Sequence, residues 1–120
     1  MCFPGVNSYN DITSHIDMKR AYARALPAAW RRIASIFVAL GDAHRQRILL
    51  MFEPGERLNV GQIVAASTLS RSTVSHHLRI LREAGVLQSE KIGKEVYFWP
   101  DIDEVRTALA AVQDYLAAEA

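Results

Sequence analysis

Hydrophobic residues recur at helical spacing through the first half of the chain. The spacing predicts one helix over residues 12–26 and a second over residues 27–40. A third helix, capped by Asp42, then leads to a turn at residues 54–55. Residues 1–11 contain turn-forming residues and lack apolar periodicity, so we expect a flexible N-terminal arm there.

Two helical segments with the spacing of a helix–turn–helix follow. Asn59, with Gln62 three residues later, forms a capping pair that begins a short helix ending near Ala66. After a short turn, Ser70 is a strong N-cap for a longer helix, which Gly85 ends.

The hydrophobic period then changes from helical to alternating. Residues 86–92 and 95–99 flank Gly93 and Lys94, which predicts a β-hairpin that Pro100 ends. A last helix, capped by Asp101 or Asp103, carries an apolar stripe. The stripe consists of Ile102, Val105, Leu109, Val112 and Leu116. The predicted fold is mainly α with a small β-hairpin, in the order α-α-α-α-β-β-α when counted from the helix over residues 27–40, with residues 12–120 as a single domain.

Length and composition agree with one globular domain. The chain has 120 residues, of which 50% are hydrophobic and 22% charged. Its one cysteine, Cys2, has no partner within the chain for a disulfide. We find neither a signal peptide nor a run of apolar residues long enough for a membrane helix, so we expect a cytoplasmic protein without a membrane partner.

Charge is balanced overall at +1 but uneven along the chain. Residues 19–57 carry eight Lys or Arg and three Asp or Glu, whereas residues 101–120 carry one Arg and five acidic residues. A basic middle and an acidic end favour a polyanion at one face, although ordinary solvated surfaces explain the same distribution.

The helix after Ser70 has one apolar and one polar side. Val74, Leu78 and Leu81 form a narrow apolar stripe, and hydroxyl, imidazole and guanidinium groups lie on the other side. Such groups suit the edges of bases in a DNA major groove, and the helix N-terminus favours a phosphate. The predicted DNA contacts of this helix are Ser70, Arg71, Ser72, Thr73, Ser75, His76 and Arg79.

Further basic groups extend this surface. Lys91, Gly93 and Lys94 lie at the hairpin tip, where lysine can neutralise phosphate, although lysine at a solvated turn is also common. Arg45, which follows the cap of its helix, is a candidate for pairing with Asp42 or for a contact with the DNA backbone.

The stretch from Phe37 to Trp99 resembles the ArsR/SmtB family of winged helix-turn-helix repressors. The segments that carry this resemblance are LGDAHRQRILLMF, LSRSTVSHHLRILREAGVL and SEKIGKEVYFW, with Gly93 at the wing tip and Tyr97 on the returning strand. The resemblance implies a homodimer on double-stranded DNA, with two recognition helices in successive major grooves of a palindromic operator, roughly 34 Å apart.

The resemblance also implies that the first and last helices build the dimer. The candidate interface residues are Trp30, Ile33, Phe37, Ile102, Val105, Leu109, Val112 and Leu116. Because a small domain has little core left to fill, the last stripe fits this role. The alternative is that it simply covers the core of one chain.

Members of this family commonly sense metals or oxidants, but the corresponding ligands are missing here. Residues 58–63 contain no cysteine, no histidine follows His77, and Cys2 is single. We therefore expect no metal site and no cofactor, and leave open an unknown small-molecule effector.

Two other classes of function compete with a DNA-binding regulator. No G-x-S-x-G, H-E-x-x-H, P-loop or C-x-x-C motif is present, so the sequence argues against an enzyme. A winged-helix module for protein–protein interaction is the alternative, but it would not need basic residues at Arg71, Arg79, Lys91 and Lys94.

Overall fold

The computed structural model describes residues 25–119. The predicted N-terminal arm and almost all of the predicted helix over residues 12–26 lie outside this range; Ala25 and Leu26 are not helical. The elements, in chain order, are α1 (Ala28–Leu40), α2 (Ala43–Leu49), β1 (Leu58–Asn59), α3 (Val60–Ala66), α4 (Arg71–Glu83), β2 (Leu87–Ile92), β3 (Glu95–Pro100) and α5 (Ile102–Glu119). Within the described part, helices α3 and α4 form the helix–turn–helix and strands β2 and β3 form the wing.

Three predicted helix starts, at Asp42, Asn59 and Ser70, are confirmed by their side-chain caps. The Asp42 carboxylate accepts hydrogen bonds from the backbone N–H groups of His44 and Arg45. Asn59 and Gln62 form a reciprocal capping box at the start of α3. Each cap satisfies backbone donors that the first helical turn leaves without partners, so these starts are fixed locally.

The predicted end of α4 at Gly85 is also confirmed. Gly85 has a φ of 85°, a left-handed conformation that costs glycine little. The N–H of Val86 donates to the carbonyl of Leu81 at 2.9 Å, and the N–H of Gly85 donates to the carbonyl of Arg82 at 3.0 Å. This pair of bonds is a Schellman motif, which turns the chain directly from α4 into the wing.

Helix α2 ends earlier than the sequence indicates. Regular helix stops at Leu49, but Met51 and Phe52 still donate backbone hydrogen bonds to Ile48 and Leu49. These bonds span three residues, so the helix tightens into turns rather than ending abruptly.

The wing belongs to a three-stranded antiparallel sheet with the order β1-β3-β2. Strands β2 and β3 pair as predicted, from Leu87 with Pro100 to Ile92 with Glu95. The prediction of a two-stranded hairpin missed the third strand, β1, whose Leu58 pairs with Phe98 on the other edge of β3. A two-residue strand carries no detectable alternation, so only its distant partner reveals it.

The core lies between the helices and one face of the sheet. Its buried members are Ile33, Ile36, Ala39, Ile48, Ile63, Val74, Leu78, Leu81, Val86, Leu87, Phe98 and Ala108. Helix α1 packs with the edge formed by Ile33, Ile36 and Ala39. Ile33 is only 6% exposed and so belongs to the core of the single chain, whereas Phe37 faces solvent; a part for Ile33 in a dimer surface stays a prediction.

The predicted stripe of α5 is divided between core and solvent. Val105 and Val112 are half-buried against the core, whereas Ile102, Leu109 and Leu116 are 55%, 46% and 59% exposed. The helix thus covers the core with one edge and leaves an apolar edge uncovered in the single chain. Among residues 25–119, no helix has the length and apolar character needed to cross a membrane.

Candidate nucleic-acid interface

Helix α4 presents its polar side to solvent. Val74, Leu78 and Leu81 are fully buried, as the sequence predicts, which fixes the rotation of the helix about its axis. The exposed side carries a set of polar residues that we call the reading face: Arg71, Ser72, Ser75, His76 and Arg79. Hydroxyl and guanidinium groups are the donors and acceptors that discriminate base edges in a major groove.

Three hydroxyl groups cluster at the N-terminus of α4. Ser70 Oγ accepts from the backbone N–H of Thr73 at 3.3 Å and donates to Thr73 Oγ1 at 2.9 Å. Ser72 Oγ lies 3.2 Å from Ser70 Oγ. Ser70 and Thr73 therefore stabilise the helix start, while the exposed first turn keeps its electropositive end toward solvent.

The two arginines of the reading face, Arg71 and Arg79, differ in their contacts within the chain. Arg79 Nη2 lies 3.2 Å from His76 Nδ1, which restricts both exposed side chains. Arg71 makes no ion pair or side-chain hydrogen bond within residues 25–119. A cation in the first turn opposes the helix dipole, so helix stability does not explain Arg71.

The wing tip carries the predicted basic groups. Gly93 has a φ of 62°, which allows the tight turn between β2 and β3. Lys91 and Lys94 are exposed on either side of this turn. The structure thus gives the protein two exposed basic surfaces, the reading face and the wing tip.

Arg57 supports the wing and was not singled out by the sequence. Its Nη1 donates to Glu90 Oε1 of β2 at 3.0 Å, and its guanidinium carbon lies 3.8 Å from the Trp99 ring centroid of β3. A cation–π contact combined with an ion pair ties the segment before β1 to both wing strands. Only the pairing of these strands brings the three residues together.

Arg45, predicted as a DNA-backbone contact, is largely engaged within the protein. Its Nε donates to the Ala39 carbonyl at 2.7 Å, and its Nη2 donates to the Val38 carbonyl at 3.1 Å. These bonds satisfy carbonyls at the C-terminal end of α1. The structure therefore gives Arg45 a structural role, and a phosphate contact stays a prediction.

His77, adjacent to the reading face, is buried on the inner side of α4. It is 7% exposed, and its Nδ1 lies 3.4 Å from Arg45 Nη1. Burial lowers the pKa of His77 because the charged imidazolium loses its hydration; the nearby Asp42 carboxylate acts in the opposite direction. The pKa of Asp42 is itself lowered, first by its hydrogen bond from the Arg45 backbone N–H.

No metal centre is apparent among residues 25–119. No three His, Cys, Asp or Glu side chains in this part of the chain are grouped so that they could hold a metal ion. His15 and Cys2 lie outside it.

A groove of about 680 Å³ lies between the segment that follows α2 and the start of α5. Phe52, Trp99, Ile102 and Leu109 are among its lining residues, together with Arg57. It adjoins the uncovered apolar edge of α5 and is distant in sequence from the reading face.

Comparison with known proteins identifies the family. Residues 42–89 match the model of the bacterial regulatory protein arsR family. The arsenic resistance transcriptional regulator ArsR1 of Pseudomonas putida is 30% identical over 92 residues, which cover 71% of this chain and 72% of that protein. The chain belongs to the ArsR family.

Other members of the ArsR family share its sequence and fold. A transcriptional repressor SmtB homolog of Synechocystis is 34% identical over 86 residues, covering 72% of this chain and 64% of that protein. A homodimeric winged helix-turn-helix DNA-binding domain from Mycobacterium bovis, a possible ArsR-family transcriptional regulator, superimposes with a TM-score of 0.60 at 25% identity. The match covers 77% of this chain and 83% of that one.

The family places the chain among DNA-binding transcriptional regulators and not among enzymes. The fold is the predicted winged helix-turn-helix.

Proposed function

We propose that this ArsR-family protein is a repressor that binds, as a homodimer, to a palindromic operator in double-stranded DNA. The observation that carries the proposal is the reading face, which the buried Val74, Leu78 and Leu81 turn away from the core. Repression is supported by the name of the SmtB homolog, and a dimer by the homodimeric domain from Mycobacterium bovis. Such a regulator acts in the cytoplasm, where bacterial DNA lies.

Within this proposal, the two basic surfaces have different tasks. The reading face contacts base edges and nearby phosphates, because its residues extend along one exposed side of α4. These residues are Arg71, Ser72, Ser75, His76 and Arg79. At the wing, Lys91 and Lys94 bind phosphate around the turn at Gly93. At the start of α4, Ser70 and Thr73 hold the N-terminus of the helix in place.

Selection of bound duplexes from a random pool tests the proposal directly. We expect enrichment of an imperfect palindrome whose half-sites lie about one helical turn apart, since a two-fold dimer presents two α4 helices to successive major grooves. Enrichment of an unrelated protein partner from cell extract, with no enriched duplex, would instead favour the protein-interaction alternative.

The proposed dimer surface combines exposed apolar residues of α1 and α5. Ile102, Leu109 and Leu116 are spaced by seven residues and so lie along one edge of α5. Phe37 is exposed on α1, and Trp30 contacts the ring of Tyr115 edge-to-face with centroids 5.7 Å apart. Val105 and Val112 support this edge from the core side, and burial of Ile102, Leu109 and Leu116 between two chains would stabilise a dimer.

Replacing Leu109 with glutamate is expected to raise the dimer dissociation constant at least about tenfold, because a carboxylate would be buried without a partner. Sedimentation velocity over a concentration series measures the change. Ala110→Glu is the matched control, since Ala110 is exposed and lies about 100° around the helix from Leu109. Equal effects of the two substitutions would place the dimer surface elsewhere.

We further propose that regulation does not use the metal sites of the family, and that release from DNA depends on an unknown small molecule or on a partner. The missing ligands in residues 58–63 and after His77 support this part of the proposal.

A further inference from the structure

A part-buried contact joins the recognition helix to the two helices at the start of the described chain. His77 of α4 lies behind the reading face, with its Nδ1 3.4 Å from Nη1 of Arg45 on α2. The same guanidinium is held by the carbonyls of Val38 and Ala39 at the end of α1. One side chain of α2 therefore connects α1 with α4.

This contact depends on the protonation state of His77. A guanidinium donates hydrogen bonds and accepts none, so Arg45 can bond to Nδ1 only when that nitrogen carries no proton. The imidazole must then be neutral, with its proton on Nε2. A doubly protonated His77 would offer Arg45 no acceptor and would place a second positive charge beside it.

The groups around His77 act on its pKa in both directions. Burial lowers the pKa, as do Arg45, His76 and His44, whereas Asp42 raises it. The His44 ring of α2 stacks on His77 with centroids 6.0 Å apart, and the His76 ring of α4 lies 5.7 Å away. The net effect is a pKa of His77 below its ordinary value, so the contact is intact at neutral pH and is lost on acidification.

Loss of the contact would reach the DNA surface through a short path. His76 of the reading face directly precedes His77 on α4, and its ring contacts the ring of His77 and the side chain of Arg79. A shift of α4 against α1 and α2 would therefore displace the reading face relative to those two helices. Base-edge contacts need close geometry, so a small displacement weakens specific binding.

We propose that the Arg45–His77 contact positions the recognition helix and makes DNA binding by this chain pH-dependent: neutral His77 holds α4 for binding, and protonation of His77 weakens binding. Arg45 and His77 act as positioning residues and touch no DNA in this proposal. The inference rests on the proposed function.

The test compares the affinity of the wild-type chain and of His77→Asn for the selected duplex at about pH 7.5 and at an acidic pH at which nitrogen-15 spectra show His77 to be protonated, at constant ionic strength. The Oδ1 atom of asparagine can replace Nδ1 as the acceptor for Arg45, but it does not titrate. Effects of acidification that do not involve His77 are common to both proteins and cancel in the comparison. Relative to His77→Asn, the wild type is therefore expected to lose affinity on the order of fivefold on acidification.

His44→Asn is the matched control. It removes an exposed histidine next to His77 but leaves the Arg45–His77 bond, so affinity should still fall on acidification, with the fall moved to higher pH because His44 helps to lower the pKa of His77. Circular dichroism at both pH values checks that each protein is folded where its affinity is measured. The same pH dependence in the wild type and in His77→Asn would overturn the inference and leave the proposed function standing.

Nitrogen-15 spectra of the histidine rings in the wild type provide a second readout that needs neither DNA nor a variant. We expect His77 to be neutral at about pH 7.5 with its proton on Nε2, and the amide signals of Ser75 and Arg79 to shift as His77 titrates. A proton on Nδ1 would overturn the inference. Failure to bind any duplex at either pH, with these spectra as expected, would overturn the proposed function.

Discussion

Replacing Leu78 with alanine is expected to lower the free energy of unfolding by about 2–5 kcal/mol. Leu78 is 1% exposed and lies on the core side of α4, so the substitution leaves a cavity between the recognition helix and the rest of the core. Small domains are stabilised by only about 5–15 kcal/mol, so this loss is a large part of the total. Urea denaturation followed by circular dichroism measures it.

Leu50→Ala is the matched control for this change. It removes the same atoms from a side chain that is 84% exposed, and we expect a change within about 0.5 kcal/mol. Similar losses for the two variants would contradict the position of α4 in the core. Because α4 carries the reading face on its other side, Leu78→Ala is also expected to reduce the fraction of chain able to bind DNA.

Replacing Arg71 with alanine is expected to weaken binding to the selected operator by about 1–3 kcal/mol while folding stays intact. Arg71 is exposed in the first turn of α4 and has no ion-pair partner within residues 25–119. Its removal therefore costs the fold little, and the loss should concentrate on one base position. Fluorescence anisotropy with operator duplexes changed at single base pairs measures both the loss and its position.

Two further substitutions separate base recognition from general attraction to DNA. Arg82→Ala removes an exposed arginine from the last turn of the same helix and is expected to keep the affinity for the operator. Lys94→Ala at the wing is expected to weaken binding to all sequences alike and to lower the salt dependence by about one phosphate contact. A uniform loss for Arg71→Ala as well would remove Arg71 from the base-reading group.

The structure extends this division of tasks to side chains behind the DNA surface. Arg57 joins Glu90 and Trp99 across the wing, and Arg45 joins α1 to His77. Neither arginine needs to touch DNA to influence binding. Both contacts place an arginine against a partner on another element.

Features that depend on neighbouring residues followed from the sequence. The caps at Asp42, Asn59 and Ser70 and the helix end at Gly85 involve groups within a few residues of one another. The orientation of α4 was also predictable, because its three apolar positions define a stripe narrow enough to leave one packing direction.

Features that depend on residues far apart in the chain did not follow from the sequence. Strand β1 has two residues and exists because Leu58 meets Phe98 forty residues later in the chain. Helix α1 is apolar over a wide arc, so periodicity could not tell that Ile33 packs inward and Phe37 outward.

The sequence by itself determined where α2, α3 and α4 start, where α4 stops and which side of α4 faces outward, since these depend on short-range hydrogen bonds and a single narrow stripe. Tertiary structure alone decided which edge of α1 and α5 is buried, and it alone brought Arg45 to His77 and Arg57 to Trp99. The physical reason is that such contacts form when whole elements pack, and side chains many residues apart carry no local signal of their partners.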